Sequence, residues 1–173
     1  MRVCTLFLAI AISTHAALAD GNWPAWRGPT ADGKTEAAGL PLHWSETENV
    51  AWKAEIHDLG YSTPVVWGDQ VWITTAKEDG KALYAVAVDL NSGKIIWDIE
   101  VFRPDNPQAI SANNTYATPS ACIEAGRVYV HYGSLGTACI DTASGEILWR
   151  RTDLNCDHMQ GPASSPILFE DLL

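Results

Sequence analysis

One nine-residue stretch occurs twice in this 173-residue chain. Asp89-Leu-Asn-Ser-Gly-Lys-Ile-Ile-Trp97 realigns on Asp141-Thr-Ala-Ser-Gly-Glu-Ile-Leu-Trp149, 52 positions later, with five of nine positions identical. Self-similarity at such a period marks a repeat architecture, in which each unit buries its apolar face against its neighbours.

The residue types of the repeat are structural in character. Gly93 and Gly145 suit a tight hairpin turn that needs positive φ, where a Cβ would be strained. Asp89 and Ser92, like Asp141 and Ser144, can bond turn amides that a strand ladder leaves unpaired. Trp97 and Trp149 then fall in an outer strand, where an indole can pack on a neighbouring unit and donate its N–H to a carbonyl.

From residue 49 onward, short apolar runs alternate with turn residues, and no 3.6-residue period is sustained. Strands are expected at Thr63–Trp67, Val71–Thr75, Leu83–Val88 and Ile95–Val101, with turns at Gly68-Asp69, Lys77–Gly80 and Asn91–Gly93. Four strands in about forty residues is the size of one propeller blade. A second unit opens at Thr118-Pro119 and runs through Val128–Val130 and Thr137–Asp141 to Ile147–Leu154. A third opens at Ser165-Pro166, and the sequence stops as its second strand begins.

The expectation is therefore an all-β chain: a β-propeller fragment of two four-stranded blades, at 61–101 and 115–154, plus the start of a third at 163–173. Residues 49–56 read as the fourth strand of a further unit, with Trp52 matching Trp97 and Trp149, and would close a ring. Open sheet edges at both ends predict weak stability or aggregation for this stretch alone. Residues 20–48, opening with Asn22-Trp-Pro-Ala-Trp-Arg-Gly-Pro29, form an extended N-terminal arm, since proline argues against helix or central strand. Trp23 and Trp26 suit packing on the body or a ligand platform. The Phe102–Asn114 stretch, with Pro104 and Pro107, is an irregular loop and the best single place for a binding loop.

These residues carry a resemblance. The repeat resembles that of PQQ-like β-propellers, close to Leu-Tyr-Ala-x-Asp-x-x-Thr-Gly-x-x-x-Trp. The chain supplies Leu83-Tyr84-Ala85 and then, with two extra residues, Asp89, Ser92, Gly93 and Trp97, with serine for threonine at 92 and 144. The opening at 23–29 is similar to the start of secreted bacterial members. The resemblance spans residues 22–173 and implies a ring of seven or eight blades. It also implies a choice of roles: a binding or assembly scaffold similar in architecture to BamB-type factors, or a quinone-dependent alcohol or sugar dehydrogenase using PQQ and calcium. Those dehydrogenases carry an adjacent Cys-Cys pair and calcium-ligating Glu, Asn and Asp, and no Cys-Cys occurs here. A carbohydrate- or peptide-binding propeller fused to another domain is a third role.

The first residues have a composition of their own. Arg2, the apolar run Val3–Ile12 and Ala17-Leu18-Ala19 have the order of a signal peptide cleaved after Ala19, too short to span a membrane. Cys4 lies inside the apolar run, which argues against a lipid anchor there. Without residues 1–19 the chain carries 10 Lys+Arg against 21 Asp+Glu, a net charge of −11 that repels phosphate backbones, so nucleic acid is a poor partner. An exported protein without a transmembrane segment, binding protein or carbohydrate, is expected.

Catalytic motifs are not found: neither Gly-x-Ser-x-Gly, a phosphate loop nor a zinc-protease helix occurs. Cys156-Asp157-His158 is the only tight group of metal-ligand types, without the second half a zinc site wants. His43, His57 and His131 stand alone in sequence and read as strand-end or surface residues. Of Cys122, Cys139 and Cys156, one pair could form a disulfide, and Cys139 aligns with Ala87 as a small buried strand residue. Asn113-Asn114-Thr115 fits a glycosylation acceptor formally.

Overall fold

A computed structural model describes residues 21–156 and 158–173. The signal-peptide reading of 1–19 and Asp157 lie outside the described residues. The first sheet comprises β1 (Val65–Trp67), β2 (Gln70–Ala76), β3 (Leu83–Asp89) and β4 (Ile95–Phe102). The second comprises β5 (Cys122–Glu124), β6 (Arg127–His131), β7 (Thr137–Asp141) and β8 (Ile147–Arg151). Each is antiparallel with its strands in sequence order, as in two consecutive propeller blades.

Burial follows position in the blade. The third strands lie inside: Ala85, Val86, Ala87, Ala138, Cys139 and Ile140 are all fully buried, so β3 and β7 read as apolar runs without alternation. The outer strands are wetter, with Ile95, Ile96, Leu148 and Trp149 exposed at the start of β4 and β8. β8 ends at Arg151, three residues short of the expected Leu154, because its ladder with β7 stops at Thr137↔Arg151.

Both outer strands break register at an equivalent place, and β4 breaks again at Val101, between Leu83↔Phe102 and Tyr84↔Glu100. Val88 pairs with Ile95 and Ala87 with Trp97, leaving Ile96 as an extra residue; Ile140 pairs with Ile147 and Cys139 with Trp149, leaving Leu148. A bulge one residue before the tryptophan bends the strand and sets the indole opposite a small partner, Ala87 or Cys139.

The blades share one core that includes Val65, Trp72, Leu83, Val128, Tyr132 and Ile140. Tyr132 is fully buried between them, donates its hydroxyl to the Tyr84 carbonyl at 2.7 Å and meets Phe102 edge-on at 5.9 Å. Arg150 Nε donates to the Val101 carbonyl at 2.7 Å. Near β1 the amide of Thr63 donates to Ser120 Oγ, and the amide of Ser120 to Ser165 Oγ, so each unit is stitched to the next. The start of the third unit closes a hairpin bridge, Phe169↔Leu172, while Leu168 packs on Cys122, Tyr129 and Cys139.

The arm runs along the free edge of β1. Trp23 and Val66 exchange two backbone hydrogen bonds at 2.8 Å, and Pro24 O accepts the Ile123 amide of the second blade at 2.8 Å. Trp23 also stacks where a Cβ on Gly28 would lie, whereas Trp26 is half exposed beneath the Arg27 guanidinium. Residues 31–51 are exposed throughout.

All three described cysteines are free. Cys122 and Cys139 are the cross-strand partners of Tyr129 on either side, so they stand two strand spacings apart, about 9.5 Å, beyond disulfide reach.

Candidate functional site

The repeat residues meet at the seams between units. In the first turn Asp89 Oδ1 accepts from the Ser92 amide at 2.7 Å and from its hydroxyl at 2.6 Å, while the Gly93 amide donates to the Asp89 carbonyl. The second turn repeats this: Asp141 Oδ1 accepts from the Ser144 amide and hydroxyl at 2.8 and 2.9 Å, and from the Ala143 amide. These donors hold both carboxyls below the usual aspartate range, Asp89 chiefly through the Ser92 hydroxyl and Asp141 chiefly through the Ser144 amide.

Each turn receives a tryptophan from the preceding unit. Gly145, at φ 73°, leaves open the space that the Trp97 ring fills: a Cβ there would lie 2.8 Å from the ring. Trp97 Nε1 donates to the Thr142 carbonyl at 3.3 Å. Gly93, at φ 71°, receives Trp52 in the same way, 2.7 Å from a virtual Cβ, and Trp52 Nε1 donates to the Leu90 carbonyl at 2.7 Å. The accepting residue follows the aspartate in both cases. Residues 51–57 form no strand ladder among the described residues, yet Trp52 docks as Trp97 does. Trp149 remains 38% exposed beside Tyr129.

The other end of the first blade carries a charged cluster. His57 lies in the connector ahead of β1, with Nδ1 2.6 Å from Asp58 Oδ2 and Nε2 3.0 Å from Asp98 Oδ1 on β4. Lys77 Nζ donates to Asp58 Oδ1 at 2.8 Å, and the Tyr84 ring meets the imidazole edge-on at 4.8 Å. The Tyr84 hydroxyl points to Glu100, which is ion-paired with Arg103. Partial burial works against a charged imidazole, and the Asp98 and Asp58 carboxylates outweigh it, raising its pKa above the ordinary 6.5. Lys77, Lys81, Tyr84 and Arg103 line an open cleft of about 600 Å³ beside the cluster. His57 looked isolated in sequence because Asp98 is 41 residues away and arrives only through the blade's strand pairing.

The Phe102–Asn114 stretch is fastened down. Asn114 Nδ2 donates to the Gln160 and Pro162 carbonyls at 2.7 and 3.1 Å, and the Tyr116 hydroxyl donates to the Gln108 carbonyl at 2.6 Å. Ile110 fills the place of a Gly161 side chain. The stretch thus ties the exit of the first blade to the connector that leaves the second.

The remaining candidates are dispersed. His131 is largely buried and bonded to Thr137 Oγ1 at 2.8 Å, and its desolvation lowers its pKa. His43 and His158 are exposed. The Cys156 amide donates to Ser134 Oγ at 3.1 Å. Among the described residues no three His, Cys, Asp or Glu side chains gather as a metal site, and no helix is long and apolar enough to cross a membrane.

No curated protein matches the chain. Residues 42–165, most of the chain and both blades, match the family described as outer membrane protein assembly factor BamB; the protein belongs to this family of PQQ-type repeats and is one of its β-propellers.

Proposed function

We propose that the chain is part of an exported β-propeller that acts as a binding or assembly scaffold for protein partners. The family match to an assembly factor carries this reading. The use of the signature residues agrees with it: Asp89, Gly93, Trp97, Asp141 and Gly145 are spent on turns and seams, not on a pocket. Export rests on the order of residues 1–19, and the mature chain would begin at Asp20. Residues 49–56 would serve as the outer strand of another blade and close the ring, Trp52 already holding the seam position of Trp97.

The test uses the full-length protein from its native gene. Photocrosslinking from Gln108 or Asn113 in the 102–114 loop, in intact cells, should trap a discrete partner protein in the exported compartment. Substrate-dependent dye reduction after reconstitution with quinone and calcium would instead establish an alcohol or sugar dehydrogenase and end the scaffold reading. N-terminal sequencing of the secreted form checks the cleavage after Ala19.

A further inference from the structure

His57 stands between two carboxylates, each within hydrogen-bond distance of a different ring nitrogen. A carboxylate only accepts hydrogen bonds, so both contacts form together only when both ring nitrogens carry a proton. The imidazolium is therefore the form this geometry holds. The surroundings fix it from several elements. Thr75 Oγ1 of β2 donates to the His57 carbonyl at 2.6 Å, and Leu59 bridges to Ala76. Asp58 has φ 60°, the left-handed region that a non-glycine residue adopts at some cost, and its carboxylate also takes Lys77. Tyr84 of β3 lies edge-on to the ring, with Glu100 and Arg103 behind it, and Asp98 comes from β4.

We propose that His57 is a pH-sensitive latch that ties the connector ahead of β1 to the outer strand β4, closed while the ring is doubly protonated and opening as it loses a proton. The neutral ring keeps one N–H. The other nitrogen then turns a lone pair toward a carboxylate, and the longer contact, to Asp98, is the one to release. The segment freed is the one that carries Trp52 to its seat on Gly93, so proton loss at one end of the blade loosens the seam at the other.

The sign follows from linkage. A histidine whose folded pKa is raised contributes stability that is complete below the unfolded value of 6.5 and is lost as pH rises through the folded value. The Asp58 carboxyl on the other ring nitrogen is itself held low, first by Lys77, so that half of the arrangement is lost only as pH falls through a folded value below the ordinary 3.8. The release that the latch predicts is therefore on the alkaline side, as pH rises through the folded value of His57. This latch is independent of what the propeller binds.

The experiment is hydrogen exchange on the full-length protein at pH 6 and pH 8.5, corrected for intrinsic rates, with an NMR titration of the His57 ring. Protection of peptides covering 53–59 should fall about two- to five-fold at the higher pH relative to β3, the scale of a partly exposed ion pair. In Asp98→Asn the fall should disappear and His57 should titrate lower than in the parent. An unchanged 53–59 segment in the parent, or an equal fall in Asp98→Asn, overturns the proposal. Should that variant not fold, the parent alone decides: a His57 ring titrating at or below 6.5 sinks the latch.

Discussion

The two tryptophan seams are built from the same parts on different foundations. Trp97 belongs to β4, is paired opposite Ala87, and meets Gly145 from a strand held along its length. Trp52 meets Gly93 from a segment with no ladder of its own, yet its indole hydrogen bond is the shorter, 2.7 against 3.3 Å. The seam therefore requires only a turn with room over a glycine and a carbonyl in reach. Strand pairing fixes how far the tryptophan can retreat when that room is taken away, and so the two seams should respond differently to the same change.

Gly145→Ala should be the most damaging substitution. It adds backbone strain at positive φ to a collision with a ring that β4 holds in place, for a loss of about 2–5 kcal/mol in chemical denaturation. Gly93→Ala carries the same strain, but Trp52 can swing away with its segment, so about 1–2 kcal/mol is expected. Equal losses would show that pairing of the outer strand is irrelevant to the seam. Between the two glycine variants comes Trp97→Ala, which removes a large half-buried ring and should cost about 2–4 kcal/mol. Trp149→Ala in this chain should cost well under half of that, given its exposure.

Smaller effects sharpen the comparison at the turns. Asp141 has a depressed carboxyl pKa, so its contribution is present above the ordinary value of 3.8 and disappears as pH falls through the folded value. Asp141→Asn should therefore flatten the acid limb of a melting-temperature profile and leave the alkaline limb unchanged. Thiol labelling gives the least perturbing check of the second blade. Cys156 should react first in native protein, while Cys122, whose burial pushes its thiol up to about 12, and the fully buried Cys139 should wait for unfolding. Early labelling of Cys122 would mean that Leu168 and the arm residue Ala25, which pack on Cys122, Tyr129 and Cys139, lift away before the blades unfold.

The blades were legible because their turns are written in residues with few alternatives. Asp, Ser and Gly at fixed offsets, followed by Trp, imply a hairpin and a docked indole, and strands placed by that motif agree with β2, β3, β4 and β6 within one or two residues. The bulges at Ile96 and Leu148 were not legible, since one extra apolar residue in an outer strand leaves no mark on the pattern. The His57–Asp98 contact was hidden for another reason: it depends on which ends of β3 and β4 meet the connector, a property of the assembled blade. The arm's hold on both β1 and β5 was equally silent, because backbone groups make it and those groups are the same in every residue.

That same anonymity of the backbone has a consequence at the seams. The indole reads the residue after the aspartate only through its carbonyl, and this residue is Leu90 in one copy and Thr142 in the other. Its side chain is free to drift without loss of the joint. A duplicated blade would thus carry this joint from the moment it arose, and only the side chains of the shared core, such as Tyr132 against Phe102, would remain to be fitted.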